Sequence, residues 1–513
     1  MNTSPNILST PSSSSKRRST LPWLIAVSLL ALGLGLRLYD LTDQPIDFHA
    51  TRQLRGALIA RGMYYQMLPE ADESTRSQAI AFGTSTGQYE PSILEYVVAR
   101  TYLLLGQETL WVSRVFTSLF WIISGAALFS LAWRAASPGA ALAVLAYYLI
   151  LPFAVQASRS FQPDPVMVMW IVLSIFALYR WSEHKGVGGA GWKWAILAGI
   201  FGGVGVLTKV VAAYIVGGAA VAMVLYSLGM RRSWRNLQVW VMAILMITPT
   251  LLYYASRQGR ASNYIESWTI SLSHLLLEPS FYVRWLSMVQ NLMGLAVLVL
   301  SLAGVLIAAP RLRALLLGLW IGYGLYGLFL PYQMYTHNYY HLQLVPIVAL
   351  GLAPVAGTLS EKLAQQPRLY QVLFIGIALV GIAFPSWVSV AELKREDFRG
   401  ESAYWQQIAS YLPTDGKIIA LTQDYGYRLM YYGWRKVALW PIRGERALSS
   451  LRGSDKEFEE FFAKRTEGKD YFLITSFNQL NDQPDLKQTL RERYPLIAEG
   501  SGYLIYDLAN PLP

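Results

Sequence analysis

Residues 91–105 read PSILEYVVARTYLLL, and the side on which every later loop lies depends on how they are taken. The stretch is apolar enough to pass for a membrane span. It carries Glu95 and Arg100, however, and its apolar residues include positions 93, 94, 97, 98, 104 and 105. That spacing describes an amphipathic helix lying in an interface. The remaining apolar runs fall at 21–38, 110–133, 139–156, 165–181, 193–207, 210–229, 236–254, 285–309, 314–332, 342–358 and 370–390. They make about eleven spans, each near the length that a hydrocarbon core of about 30 Å requires, with 193–207 the shortest. With 91–105 kept flat and the N-terminus inside, the cytoplasmic loops hold Arg134; Lys185 and Lys193; Arg231, Arg232 and Arg235; Arg311 and Arg313; Lys362 and Arg368. Every short inside loop is then basic, as the positive-inside rule expects. Counting 91–105 as a span reverses all of them.

Composition agrees. Of 513 residues, 54% are hydrophobic and 15% charged, against about 25% charged in a soluble domain. The absence of cysteine excludes disulfides and thiolate metal sites. The net charge of +11 is accounted for by the basic loops, so no nucleic-acid partner is called for. Residues 1–20 read as a disordered cytoplasmic tail, and 21–38 as a retained first helix, since no small-residue cleavage site follows it. The outer segments are 40–109, 157–164, 255–284, 333–341 and everything after 391. Residues 392–513 change character. Strand-like runs at 417–421, 471–475 and 503–506 alternate with helical patterns at 402–412, 455–465 and 486–493, which describes a small α/β domain. The fold class is thus a polytopic α-helical membrane protein. A membrane domain (21–391) carries interfacial helices in its first outer loop, and an extracytoplasmic α/β domain follows it.

The chemistry gathers at residues 37–62, RLYDLTDQPIDFHATRQLRGALIARG. Asp47 precedes an amphipathic helix, 49–61, with Leu54, Ala57, Leu58 and Ile59 on its membrane or core face and Gly62 as its stop. Two compatible readings of Asp47 are open: an N-cap, or a general base taking a proton from a hydroxyl acceptor. Asp40 and Asp43 read as solvated turn residues. In SRSFQPD (158–164), Arg159 and Asp164 either tie two helix ends together, or place Asp164 beside the active loop and Arg159 near a phosphate. GGVGVLTK (202–209) lacks the Gly-Lys-Ser/Thr of a phosphate loop, and its glycines suit close helix packing. Lys209 interrupts two apolar runs at the predicted outer face, where a phosphate neighbour accounts for it. In QMYTHNYYH (333–341), the tyrosines suit a membrane belt, while His337, Tyr340 and His341 are placed to bind a phosphate or sugar. His337 and His341 have the i, i+4 spacing of a zinc pair, without a nearby acid to complete it. The connector 256–283, with Tyr264, Trp268 and His274, is long enough to close over a substrate. Arg257 and Arg260 add charge there. No nucleophilic triad, dinucleotide fingerprint or nucleic-acid module is present.

The order of these pieces resembles the membrane glycosyltransferases of the C superfold, in the branch containing protein O-mannosyltransferases and the lipid A aminoarabinose transferase. The matching pieces are Arg37-Leu38-Tyr39, Pro45-Ile46-Asp47, Ala60-Arg61-Gly62, Tyr89-Glu90-Pro91, Arg159 with Asp164, Leu207-Thr208-Lys209, and His337 with Tyr340 and Pro346, all within residues 21–360. The resemblance implies a polyprenyl-phosphate sugar donor, a hydroxyl acceptor, and transfer with inversion on the non-cytoplasmic face of a bacterial-type inner membrane. Asp47 aligns with the family's catalytic aspartate. The chain departs in having Phe48 where a second acid is frequent, and Glu90-Pro91-Ser92-Ile93 where a Lys or His with Pro-Pro-Leu is frequent. Sites follow: Asp47 and Asp164 for catalysis; Arg159, Lys209, Arg52, His337 and Tyr340 for the donor phosphate; Glu90 and Tyr264 for substrate. No cofactor is required, and a divalent metal has no ligand set to support it. The expected partners are the lipid donor, the bilayer, and a glycan, lipid or protein acceptor. The rival readings are a lipid-linked oligosaccharide transporter or flippase, and an envelope polysaccharide polymerase.

Overall fold

The computed structural model describes residues 20–87, 90–184, 188–256, 265–446 and 457–513. Tyr89, Lys185, Arg257, Arg260, Tyr264 and the tail before Thr20, all named above, lie outside the described residues.

Among the described residues, nine helices are long and apolar enough to cross a membrane, and two bent pairs bring the number to eleven. These match the eleven runs one for one. The first is α1 (Leu21–Leu38). The loop after it holds α2 (Ala50–Met67), α3 (Glu73–Ser85) and α4 (Ile93–Leu105). At 13 residues α4 is about 20 Å long, too short to span. Its burial corrects part of the amphipathic reading: Leu94, Val98 and Tyr102 are inside together with Glu95, while Leu104 is exposed. Gly62 does not stop α2 either. A Cβ at Gly62 would lie 3.1 Å from the Ala79 carbonyl, and one at Gly83 would lie 3.0 Å from that of Leu58. The two glycines thus let α2 and α3 pack backbone to backbone, and α2 runs on to Met67.

The spans continue with α5 (Trp111–Ala135), then α6 (Pro138–Ile150) and α7 (Pro152–Arg159), which are bent by 61°. Pro152 has no N–H to give the Tyr148 carbonyl, and the Trp121 indole bonds it instead at 3.3 Å. The neighbouring Leu149 carbonyl takes Arg37 at 2.8 Å. Arg37, fully buried at the end of α1, also donates to Ser158 Oγ at 2.6 Å and to the Gly33 carbonyl. A membrane-buried guanidinium is tolerated only with such partners, so the break in the helix and the arginine account for each other.

Next come α8 (Asp164–Glu183), α9 (Gly188–Thr208), α10 (Ala212–Ser233) and α11 (Leu237–Ala255). The run expected to be short, 193–207, belongs to a helix of 21 residues. The run 285–309 is not straight: α12 (Pro279–Met293) and α13 (Leu295–Ile307) turn by 96° at Gly294, whose φ is +85°. The last helices of the membrane part are α14 (Pro310–Phe329), the short α15 (Pro331–Thr336), α16 (Leu344–Ala364) and α17 (Arg368–Arg395).

Beyond α17 the chain forms a five-stranded sheet in the order β2-β1-β3-β5-β4. β1 (Ile418–Leu421) is parallel to β2 (Val437–Leu439) and β3 (Tyr471–Ile474); β4 (Leu496–Gly500) and β5 (Tyr503–Asp507) are antiparallel additions. The three expected strands and the helices at 401–410, 458–466 and 484–493 are all present. One face of this unit shares a hydrophobic core with the first loop: Leu54, Leu58, Tyr102 and Phe161 pack in one cluster with Trp405, Ile408, Leu429 and Tyr431.

Candidate active site

Asp47 lies in the turn between α1 and α2, and it is not the helix cap. That position is His49, in the left-handed region at φ +50° with no side-chain capping bond. The Asp47 carboxylate faces two buried arginines instead. Arg114, near the start of α5, approaches Oδ1 at 2.9 Å, and Arg159, at the end of α7, lies 4.0 Å from Oδ2. Arg114 also binds the carbonyls of Leu41, Asp43 and Gln44 at 3.2, 2.7 and 3.1 Å. It therefore shapes the turn that presents the aspartate. Burial alone would raise the Asp47 carboxyl, but the guanidiniums of Arg114 and Arg159 outweigh it and hold the group below the usual carboxylate range.

Asp40 and Asp43 are not solvated turn residues. Asp43 is buried and accepts the Phe398 N–H at 3.0 Å. The Asp40 carbonyl accepts Arg159 at 3.0 Å, and its carboxylate pairs with Arg399. Nor do Arg159 and Asp164 pair with each other. Asp164, at the start of α8, binds Lys209, at the end of α9, with Nζ 2.8 Å from Oδ1 and both side chains buried. The Lys209 ammonium stands 5.1 and 4.6 Å from the ring centres of Tyr339 and Tyr340, an aromatic platform that suits a desolvated cation.

Beside the lysine, Glu90 accepts Arg52 at 3.3 Å and lies 3.6 Å from Arg55. Burial would raise the Glu90 carboxyl; Arg52, Lys209 and Arg55 together lower it. Arg52 is 5.5 Å from the Tyr339 ring centre. His49 Nε2 is 2.6 Å from Asn338 Oδ1, which makes it the donor nitrogen. Burial lowers the His49 imidazole and takes that of His337 down to about 4, helped there by His49, Arg52 and Lys209. Both rings are neutral near pH 7 and add no charge: the single N–H of His49 is given to Asn338, and that of His337 to Thr336 Oγ1 at 2.7 Å, whose hydroxyl donates to the Tyr332 carbonyl. At this end of the site three cations, Arg52, Arg55 and Lys209, share two carboxylates, Glu90 and Asp164.

The zinc pair does not form. His341 is buried with Nδ1 2.7 Å from Tyr323 Oη and Nε2 2.9 Å from the Met334 carbonyl, so both nitrogens are in use. No group of three metal-binding side chains occurs among the described residues.

Residues 90–254 match the model of the dolichyl-phosphate-mannose-protein mannosyltransferase family. No curated protein matches the chain by sequence. Among solved structures, ArnT from Cupriavidus metallidurans in the apo state superposes with a TM-score of 0.60 at 16% identity, covering 95% of this chain and 98% of that one. The same protein bound to undecaprenyl phosphate gives 0.59, also at 16% identity, with the same coverage. The oligosaccharyltransferase AglB from Archaeoglobus fulgidus, in complex with an inhibitory peptide and a dolichol-phosphate, gives 0.55 at 12% identity, covering 95% and 74%.

The fold is that of the C-superfold membrane glycosyltransferases.

On this C-superfold scaffold the sequence-predicted residues fall into two neighbouring groups. Asp47 and Arg159 form one; Asp164, Lys209, Arg52, Glu90, His337 and Tyr340 form the other. Glu90 is engaged by Arg52 and Arg55. Sequence reading missed Arg114, Gln53, Asn338 and Tyr339. It also missed Asp424, whose carboxylate accepts Thr51 Oγ1 at 2.9 Å and so brings the C-terminal unit to the first turn of α2. Arg114 carries only a weak sequence signal, one charge near the start of an apolar run. The others carry none.

Proposed function

We propose that the chain is an inverting glycosyltransferase that moves a sugar from a polyprenyl-phosphate donor to a hydroxyl acceptor on the non-cytoplasmic face of a bacterial-type inner membrane. The observation that carries this reading is the split site: an arginine-held carboxylate at Asp47, and beside it a cation group with more positive than negative charge. Lys209 and Arg52 hold the donor phosphate, with His337 and Tyr340 beside them. Arg159 faces Asp47 in the first group. Asp164 orients Lys209 through Oδ1 and offers Oδ2 to a donor hydroxyl.

The acceptor oxygen attacks the anomeric carbon from the side opposite the phosphate. The carbon–oxygen bond to phosphate breaks, and its electron pair leaves on polyprenyl phosphate. Asp47 binds the acceptor hydroxyl through Oδ2 and takes its proton as the new bond forms. A carboxylate held below the ordinary range is a weak base before the reaction. It accepts the proton late, when the acceptor oxygen has become strongly acidic. The cations stabilise the charge that grows on the leaving phosphate. The carboxylates do not fit a resident divalent ion, because Asp47 and Asp164 are each already neutralised by a cation. The acceptor is a protein, a lipid or an envelope glycan.

The test is incubation of purified protein with a labelled polyprenyl-phosphate sugar in the presence of EDTA, following release of polyprenyl phosphate. We expect release with the chelator present, and a loss of about 10²–10⁴-fold in Asp47→Asn at normal expression. Full activity in that variant removes Asp47 from the mechanism. A lipid moved across the bilayer and recovered intact makes the chain a transporter.

A further inference from the structure

Gln53 lies one turn into α2 and is wholly buried. It carries no charge, and its side chain is engaged in three bonds. Nε2 donates to the Phe48 carbonyl at 2.8 Å and to Asp47 Oδ1 at 3.1 Å, and Oε1 accepts the Phe161 N–H at 2.9 Å. Because Phe161 N can only donate and the Phe48 carbonyl can only accept, these partners fix the orientation of the amide. Phe161 sits two residues after Arg159. One side chain therefore sets both the rotation of the Asp47 carboxylate and its distance from the segment that carries the second arginine.

The two oxygens of Asp47 are treated unequally. Oδ1 receives both Arg114, at 2.9 Å, and Gln53. Oδ2 has Arg159 at 4.0 Å, beyond hydrogen-bond reach. A carboxylate between two guanidiniums gains by closing onto both, since paired charge-assisted bonds are the strong ones. Rotation of the Asp47 carboxylate toward Arg159 would occupy Oδ2 and break the bond from Gln53. The strained turn at His49 offers no capping bond to resist that rotation.

We propose that Gln53 is a positioning residue for glycosyl transfer, holding Asp47 so that Oδ2 stays free for the acceptor hydroxyl; this rests on the reading of Asp47 given above. Arg114 of α5 and Arg159 of α7 are the charged groups that face Asp47 from the packed helices, with Asp40 and Asp43 in its own turn.

Gln53→Met removes all three bonds. Gln53→Glu keeps an acceptor for the Phe161 N–H and removes the donor to Asp47. With donor saturating, we expect both variants to lose about 10–100-fold in kcat, as small misplacements of a reacting group do, while the donor KM stays within about threefold. A carboxylate that loses a hydrogen-bond donor, or gains a like charge, binds its proton more tightly. In both variants the acid limb of kcat should therefore lie at higher pH than in the wild type, where Asp47 is held below the ordinary carboxylate range. A wild-type rate and pH profile for Gln53→Glu overturns the proposal even where Gln53→Met fails to fold. Asp47→Asn run in parallel separates the two claims. If it is active, the reading of Asp47 falls. If it is inactive while Gln53→Glu matches wild type, only the positioning role falls.

Discussion

Lys209 shows what one residue reveals and conceals. Its place between two apolar runs marks it in the sequence as a charge in need of a partner. The partner is Asp164, 2.8 Å away. A buried pair of this kind loses about 3–5 kcal/mol when one member is removed, because the other charge is left stranded. The lysine has two roles to separate, balancing the aspartate and holding the donor. If it only balances Asp164, the double variant Lys209→Met/Asp164→Asn recovers both stability and transfer. If it also holds the donor phosphate, stability returns, but neither transfer nor binding of bare polyprenyl phosphate, which has no sugar hydroxyl for Asp164 to meet, returns with it. We expect the second outcome. Lys209→Met alone lowers the thermal midpoint, the double variant restores most of it, and transfer stays down by about 10²–10³-fold. Parallel melting curves, transfer assays and binding of bare polyprenyl phosphate check this. Arg114 and Gln53 were illegible for a different reason. Arg114 resembles any basic flank at the head of a span, and Gln53 is an uncharged residue on a helix, so only three-dimensional packing shows that both reach the same oxygen.

At the scale of elements, helix positions were legible because an uncharged apolar run of spanning length is stable in few places besides a bilayer. Helix faces and ends were less so. α4 lies outside the set of spans, as its spacing indicated, but it turns Glu95 inward and exposes Leu104. The reason is that the loop has a core of its own, so the side facing inward is not the one a bilayer would select. Burial raises the Glu95 carboxyl from 4.5 to about 7, only partly opposed by Arg55. The folded protein thus holds this proton more tightly than the unfolded chain. The stability it contributes is fully present below about pH 4.5 and is lost as the pH rises through about 7, to the extent of roughly 3 kcal/mol. Glu95→Gln keeps the shape and removes the ionisation. We expect it to raise the melting temperature at pH 8 and to leave it nearly unchanged at pH 5. Equal shifts at both pH values would show that the wild-type carboxyl is not protonated in the folded state. Among the strands, β1, β3 and β5 were legible as buried apolar runs. β2 has only three residues, and β4 is an edge strand with Leu496 and Ile497 exposed, so neither shows a pattern.

The whole molecule joins pieces that composition separates. Charge rises after residue 391 and suggests a domain apart, yet the C-terminal unit is fastened to the first loop along its length. Arg61 of α2 binds Glu108 at 2.9 Å and the Tyr431 carbonyl at 2.6 Å, and lies 3.7 Å from the Tyr431 ring centre. The Tyr431 hydroxyl also bonds Glu108. Thr51 reaches Asp424, and Asp43 takes the Phe398 N–H. These ties hold the same turn that presents Asp47, so loosening them should cost both stability and turnover. Glu108→Ala strands the buried Arg61 guanidinium and should destabilise the joint unit by about 3–5 kcal/mol. Because the first loop and the C-terminal unit share one core, we expect hydrogen exchange in that variant to rise together in residues 50–105 and 401–432. The membrane helices should stay protected, and transfer should fall although Glu108 touches neither Asp47 nor Lys209. Exchange that rises only in the C-terminal unit, with the wild-type rate of transfer retained, would mean that the first loop holds Asp47 without help from the C-terminal unit.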